Sequence, residues 1–288
     1  MNIGFIGLGT MGAPMCMNLL KKHSGKLYLF DLIETRAKEL EPAGAIVCGS
    51  AMEVANNSDI IISMVPKSEH SFSLYQSILP CLNSSKICID MSTIDPSVSI
   101  QISKLVKNTG ADFFDAPVVK SKPAAITGKL GIYVGGNADG FKKIEPILRC
   151  MGENIKYLGK NGNGLVMKIC HNALVAQIQN GVNETLSLAI SCGLSASDFA
   201  EAISYGGGQN FYLDSKIASL QKGDYSVNFS IENMAKDLNI CKKLASENNI
   251  SIPGVSVAES VYAKAINAGM QNEDFCATFR IVSGKTHA

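Results

Sequence analysis

What the 288-residue chain lacks narrows its function before any motif is read. No apolar run reaches the roughly 18 residues of a membrane-spanning helix, which argues against an integral membrane protein. Neither sign of charge dominates. The 26 Lys and Arg face 25 Asp and Glu, so no broad basic field is available to a nucleic acid. The nine cysteines are odd in number and never spaced C-x-x-C, so neither a zinc site nor a disulfide framework is expected. Cys16, Cys150, Cys170, Cys192 and Cys241 fall in helical patterns beside apolar residues, as reduced, buried thiols of a cytoplasmic protein would. Histidine is scarce, with four, and His23, His70 and His287 look peripheral. Met1 leads straight into an apolar strand, leaving no room for a signal or transit peptide, so a cytoplasmic location is expected. There are no internal repeats and no low-complexity segments. The length suffices for two domains with cores of their own.

What is present begins at the first residues. The apolar run at 3–6 enters Gly7-Leu8-Gly9-Thr10-Met11-Gly12, and the helical pattern of Met15, Leu19 and Leu20 follows. A second strand, Leu27-Tyr28-Leu29-Phe30, ends at Asp31. Strand, G-x-G-x-x-G, helix, second strand and terminal acid form the dinucleotide-binding fingerprint in its required context. The glycines permit a tight turn and let backbone N–H groups approach a pyrophosphate at the helix N-terminus. Asp31 would accept from the ribose hydroxyls and repel a 2′-phosphate, so NAD is expected over NADP. Leu32 and Ile33 supply no cation to reverse this, and Arg36 reads as a solvated helix residue.

The alternation continues. Strands are expected at 60–66, 86–93, 112–118 and 131–136, the second followed by a helix with Pro96 in its first turn. Strands interleaved with helices imply a mostly parallel sheet covered on both faces, with ligands at the C-terminal strand ends. That edge would hold Val65, Pro66, Ser92, Thr93 and the segment after Pro117. After about residue 160 the strand signals stop. A long apolar helix is expected from Gly164 to Cys192 with Gly193 as its C-cap, then helices near 195–205, 209–220, 230–248, 252–269 and 273–283. The expected fold class is therefore α/β, an N-terminal Rossmann doubly wound sheet (1–161) followed by an all-α domain (162–288) built on a long interdomain helix. A helix so long and apolar needs burial on several sides, which suggests a homodimer or homotetramer.

At the start of that helix stands Gly159-Lys160-Asn161-Gly162-Asn163-Gly164-Leu165-Val166-Met167-Lys168-Ile169-Cys170-His171-Asn172. Lys168 and Asn172, at i and i+4, share one helix face. A lysine in a partly dry site loses basicity, and moving it from ~10.4 to ~7.5 takes roughly 4 kcal/mol of differential interaction. Such a lysine can exchange a proton near neutral pH.

These segments together resemble the β-hydroxyacid dehydrogenase family, through GLGTMG at 7–12, DMST at 90–93, DAPV at 115–118, GKNGNGLVMKICHN at 159–172 and AKDL at 235–238. The resemblance implies a Rossmann domain and a helical domain joined by the long helix, an active site in the cleft between them, and hydride exchange between NAD and a small hydroxy acid. It implies that Lys168 is the general acid/base, that Asn172 holds substrate, and that Gly7, Gly9, Met11, Gly12, Asp31, Leu32, Val65, Pro66, Thr93 and Lys236 line the cofactor. Without it, Lys236-Asp237 reads as an ordinary exposed ion pair. A nucleotide sensor that kept the fold and lost the chemistry is the alternative of another class, and an intact Lys168 and Asn172 argue against it.

The substrate is expected to be a small anion bound by Lys120, Ser121 and His171, with Ser92 and Val175 nearby. Most members of the family follow D-x-P-V with Ser-Gly-Gly, whereas Val119-Lys120-Ser121-Lys122 stands here. This loop, with the run from Ala125 to Leu130, most resembles the sulfolactaldehyde reductases. The resemblance favours reduction of 3-sulfolactaldehyde to 2,3-dihydroxypropane-1-sulfonate. Carboxylate substrates are the alternative: 3-hydroxyisobutyrate, tartronate semialdehyde or succinic semialdehyde. The turn Gly206-Gly207-Gly208 reads as a helix stop and restart.

Overall fold

Short β-branched runs closed by glycine or polar turns set the first half of the chain. The computed structural model describes residues 1–284, and His287 lies outside the described residues. Six parallel strands form the main sheet: β1 (Ile3–Ile6), β2 (Leu27–Phe30), β3 (Ile46–Val47), β4 (Ile60–Ser63), β5 (Ile87–Asp90) and β6 (Asp112–Asp115). Their spatial order is β3-β2-β1-β4-β5-β6, so the direction of strand progression reverses at β1, the topological switch point. The intervening helices are α1 (Gly12–Lys22), α2 (Glu34–Lys38), α3 (Ala51–Asn57), α4 (Ser68–Ile78) and α5 (Pro96–Lys107).

Side-chain alternation along each strand divides the burial between two cores. Ile3, Phe5, Ile60, Ile62, Ile89 and Phe114 pack with Met15, Cys16 and Leu19 of α1 on one face. Ile6, Ile61, Cys88 and Phe113 pack with Val54, Tyr75, Ile78, Ile102 and Val106 of α3, α4 and α5 on the other. This is the doubly wound arrangement that the fingerprint predicts.

The expected strand at 112–118 is in fact two. Pro117 has no N–H to continue a ladder, and the chain breaks between β6 and β7 (Val118–Val119). β7 joins a second, three-stranded sheet with β8 (Leu130–Val134) and β9 (Gly152–Tyr157), antiparallel to β8, while β8 and β9 run parallel. α6 (Lys122–Thr127) and α7 (Ala138–Met151) complete this layer. The strand expected at 131–136 therefore belongs to the small sheet. A reciprocal pair of backbone hydrogen bonds between Asp115 and Gly135 ties it to the end of β6.

The long helix α8 runs from Asn163 to Ser191, and Gly193 beyond it has φ +93°. Then come α9 (Ala196–Ile203), α10 (Phe211–Lys222), α11 (Ile231–Glu247), α12 (Pro253–Asn267) and the short α13 (Phe279–Ser283). Gly206–Gly208 form the exposed link between α9 and α10, and Asn210 caps α10 by accepting from the Leu213 N–H. Among the described residues beyond β9 no strand forms. Ala176, Leu186, Leu213, Met234, Leu238 and Tyr262 are central to the core of this part. The chain divides into two compact units, 1–168 and 169 onward, with the division inside α8.

All nine cysteines are free. Cys16 is buried as expected, but Cys170 and Cys192 are exposed and Cys150 and Cys241 half-buried. Apolar neighbours in sequence thus do not guarantee a covered face. Among the described residues no helix is long and apolar enough to cross a membrane, and no cluster of acidic, histidine or cysteine side chains could hold a metal.

Candidate active site

Strand register brings the expected cofactor residues of the first unit to one edge, while Lys236 lies on α11 of the second. Ile6 is level with Phe30 and Ser63, Ser63 with Asp90, and Asp90 with Asp115. The next residues in each strand-end loop are Gly7, Asp31, Met64-Val65-Pro66 and Met91-Ser92-Thr93, so these loops spring from a common C-terminal edge.

The first loop fits a dinucleotide sterically. Gly7 has φ +98°, which only glycine adopts readily, and a Cβ there would strike the Met64 carbonyl. A Cβ on Gly12 would overlap the Gly7 carbonyl, so the turn closes only with bare backbone. Gly9 faces open space, with no protein atom within 4 Å of where its Cβ would be. That is the side from which a pyrophosphate would reach the start of α1, where Met11 provides no side-chain cap. The Asp31 carboxylate accepts from the Leu8 N–H at 2.6 Å and from the Ile33 N–H at 2.8 Å, which locks it between the glycine loop and α2. Arg36 is half exposed as expected, yet its guanidinium also lies 3.6 Å from Asp31. Leu32 is 92% exposed and Pro66 is exposed.

Ser92 is buried, and its hydroxyl accepts from the Val65 N–H at 2.8 Å, joining the loops after β4 and β5. Asp90 beneath it accepts from the Ser92 N–H and from the Ser63 hydroxyl, which also bonds Tyr75. Burial pushes the Asp90 carboxyl above its usual value, with bonds from these serines acting in opposition. Thr93 is half-buried in the same loop.

On α8, Lys168, His171, Asn172 and Val175 stand at i, i+3, i+4 and i+7, one face of a continuous helix. Lys168 is 8% exposed and Asn172 is 5% exposed, while His171 and Val175 are half-buried. The lysine is thus kept largely from water, as an acid/base role requires.

The Asn172 side chain is held from below. Its amide donates to the Asp237 carboxylate of α11 at 2.6 Å, and Lys236 lies 3.4 Å from the other Asp237 oxygen. Asp237 is 1% exposed, which corrects the reading of Lys236-Asp237 as an exposed pair; only Lys236 reaches toward solvent. With no periodic apolar signal of its own, Asp237 was missed as a site residue. Asp115 was missed too. It is fully buried, and it accepts from the Gly162 N–H at 2.7 Å and the Leu165 N–H at 3.0 Å at the start of α8. Burial raises its carboxyl to about 6, with those two N–H groups holding it down.

Lys120 and Ser121 lie between β7 and α6. Lys120 has φ +70°, the left-handed region, so it keeps a glycine's backbone shape with a side chain added. Its ammonium pairs with Glu153 of β9 at 2.9 Å, and this holds the Glu153 carboxyl below its usual value. Ser121 precedes α6 without making a side-chain cap bond.

A dinucleotide loop at a topological switch point, followed by a helix with a nearly dry lysine, defines the class of nicotinamide-dependent oxidoreductases. Residues 2–159 match the family described as the NAD binding domain of 6-phosphogluconate dehydrogenase, and residues 162–282 that described as NAD-binding of NADP-dependent 3-hydroxyisobutyrate dehydrogenase. The chain is 36% identical to mouse mitochondrial 3-hydroxyisobutyrate dehydrogenase, over 96% of this chain and 86% of that one. It is 34% identical to the NAD-dependent L-serine dehydrogenase of Pseudomonas aeruginosa, over 95% of each. The structure of Mycobacterium tuberculosis 3-hydroxyisobutyrate dehydrogenase with L-serine is similar at a TM-score of 0.91, with 29% identity and 98% of each chain covered. The chain belongs to the β-hydroxyacid dehydrogenase family and is an NAD(P)-type enzyme acting on hydroxyl groups.

Proposed function

We propose that this enzyme interconverts a small β-hydroxy carboxylate and its semialdehyde, with NAD preferred over NADP. The observation that carries the reading is the α8 face, where Lys168 is largely removed from water beside an Asn172 whose amide is fixed by Asp237. The nicotinamide, when bound, accepts or returns a hydride. Lys168 then takes the hydroxyl proton in oxidation, or donates it to the oxygen becoming an alkoxide in reduction. Asn172 orients that oxygen, and Lys236 is assigned to the cofactor. Gly7, Gly9, Met11 and Gly12 hold the pyrophosphate, Asp31 and Leu32 border the ribose, and Val65, Pro66 and Thr93 border the rest. The preference for NAD rests on Asp31, whose carboxylate would repel a 2′-phosphate even with Arg36 beside it.

The anionic end of the substrate is assigned to Lys120 and Ser121, with His171, Ser92 and Val175 completing the substrate side. The resemblance of this loop to the sulfolactaldehyde reductases, through Lys120 and the run from Ala125 to Leu130, is the ground for a sulfonate substrate. Lys120 pairs with Glu153, a contact that bears equally on a sulfonate and a carboxylate, so the choice between them rests on the relatives. The relatives at 31–36% identity include dehydrogenases named for 3-hydroxyisobutyrate, L-serine and 2-(hydroxymethyl)glutarate, which supports a carboxylate. Large apolar side chains left exposed on the helical unit, such as Leu174, Leu188 and Phe211, support a homodimer or homotetramer, and nine free thiols support a cytoplasmic location.

NADH oxidation against methylmalonate, tartronate and succinic semialdehydes and 3-sulfolactaldehyde tests the substrate. The expected result is the highest kcat/KM with methylmalonate or tartronate semialdehyde, whose products are β-hydroxy acids; a highest value with succinic semialdehyde, whose product is a γ-hydroxy acid, overturns the β-hydroxy assignment. A sulfonate that outperforms all three overturns this choice and restores the sulfonate reading.

A further inference from the structure

Helices are normally capped by a side chain next to them in sequence, and α8 has candidates in Asn161 and Asn163. Both are engaged elsewhere. Asn161 donates to the Phe113 carbonyl at 2.7 Å and accepts from Lys107, and Asn163 donates to the Leu158 carbonyl at 2.7 Å. The N–H groups of Gly162 and Leu165 go instead to one carboxylate far upstream, that of Asp115 at the end of β6. The pocket around that carboxylate is made of bare backbone. A Cβ on Gly135 would lie 2.6 Å and 2.9 Å from its two oxygens, and a Cβ on Gly164 would lie 2.9 Å from one of them. Gly162 itself has φ +92°. Two glycines thus leave the room the carboxylate occupies, and a third makes the turn that delivers its N–H.

Two consequences follow from the position of this contact. Asp115 is level with Asp90 in the row from which the nucleotide loops spring, so the start of α8 is tied to that same edge. Lys168 follows Leu165 by three residues on a regular helix, so the height and rotation of its Cα are set by where the Leu165 N–H is held. A buried carboxylate raised to about 6 is an expensive way to cap a helix, and an ordinary Asn or Ser cap would avoid the desolvation.

We propose that Asp115 is a positioning residue for the reaction: by clamping the first turn of α8 to the nucleotide-binding edge, it holds Lys168 at the place where proton transfer occurs. This rests on the assignment of Lys168 as the acid/base. The test compares Asp115→Asn and Lys168→Ala with the wild type, normalised to active sites by NADH titration. It measures kcat, KM, NADH affinity and the isotope effect on kcat with NADH deuterated at the transferred position. Asp115→Asn keeps one acceptor and loses the other. A fall in kcat of tenfold or more is expected, with KM and NADH affinity within threefold and a larger isotope effect as hydride transfer becomes slower than product release. A helix cap of purely structural value would lower the active fraction or thermal stability and leave kcat per active site and the isotope effect unchanged, and that result overturns the proposal. If Asp115→Asn does not fold, Gly135→Ala, whose Cβ would press on the carboxylate and on the Lys160 carbonyl without removing either, is read by the same criteria. Should Lys168→Ala remain active, the acid/base assignment fails on its own. A dead Lys168→Ala beside a wild-type-like Asp115→Asn rejects only the clamp.

Discussion

Replacing Asp237 by alanine removes the acceptor that fixes Asn172. The carboxylate is 1% exposed and lies 2.6 Å from the Asn172 amide, so water cannot easily take its place. A hydrogen bond to a charged group contributes about 1.5–3 kcal/mol. If Asn172 orients the reacting oxygen, losing that restraint lowers kcat/KM by about tenfold to a hundredfold. The ion pair to Lys236, whose side chain is partly exposed, adds little to this sum. Stability also falls, because the Asn172 amide is left buried and unsatisfied, by about 1–3 kcal/mol. Asp237→Asn keeps an acceptor and is expected to fall between alanine and wild type. Steady-state kinetics on active-site-titrated enzyme, run beside urea unfolding, separate the two effects. A kcat/KM for Asp237→Ala within threefold of wild type, with stability reduced as stated, would refute the reasoning: the bond would then be structural and Asn172 no part of the substrate site.

Other expectations follow from the loop and from a buried pair in the helical unit. Lys120→Ala is expected to raise KM for the anionic substrate by about tenfold, one charge-assisted bond, whereas Glu153→Gln, which frees the ammonium, is expected to lower it. Unchanged KM in both variants returns Lys120 to the solvated surface. Asp274 is fully buried and takes bonds from Lys216 at 2.8 Å and from the N–H groups of Asn228 and Phe229. Burial acts to raise its carboxyl, and Lys216, Cys276 and the Asn228 N–H outweigh that and hold it below the usual value. A depressed carboxylate contributes its stability above the unfolded value, near 3.9, and loses it as pH falls through the lower folded value. Asp274→Asn, leaving Lys216 buried without its counter-charge, is expected to lower the unfolding free energy by about 3–5 kcal/mol at pH 7. Urea titrations should show that gap closing below about pH 4. A loss under 1 kcal/mol at pH 7 would count against the pair.

The nucleotide half was legible because its signals are local. G-x-G-x-x-G between a strand and a helix, followed by Asp31 at the end of β2, needs no distant contact to be read. The small sheet was not legible in the same way. β9 carries mostly polar residues and pairs on one side only, so it shows neither an apolar run nor strict alternation. β3 and β7 are two residues each, below the length at which periodicity exists. In the site, Lys168 and Asn172 were visible because i and i+4 on a helix is a sequence relation. Asp237 and Asp115 act across 65 and 47–50 residues, and only folding shows what they touch. The pairing of Lys120 with Glu153 was hidden for the same reason, at a separation of 33.

The most direct test of the account is turnover by Lys168→Ala against its NADH affinity. General acid–base groups contribute about 10²–10⁴-fold, so activity in either direction should fall below a hundredth of wild type while the NADH dissociation constant stays within threefold. More than a tenth of wild-type activity, with binding intact, would contradict the assignment of Lys168 as the proton carrier.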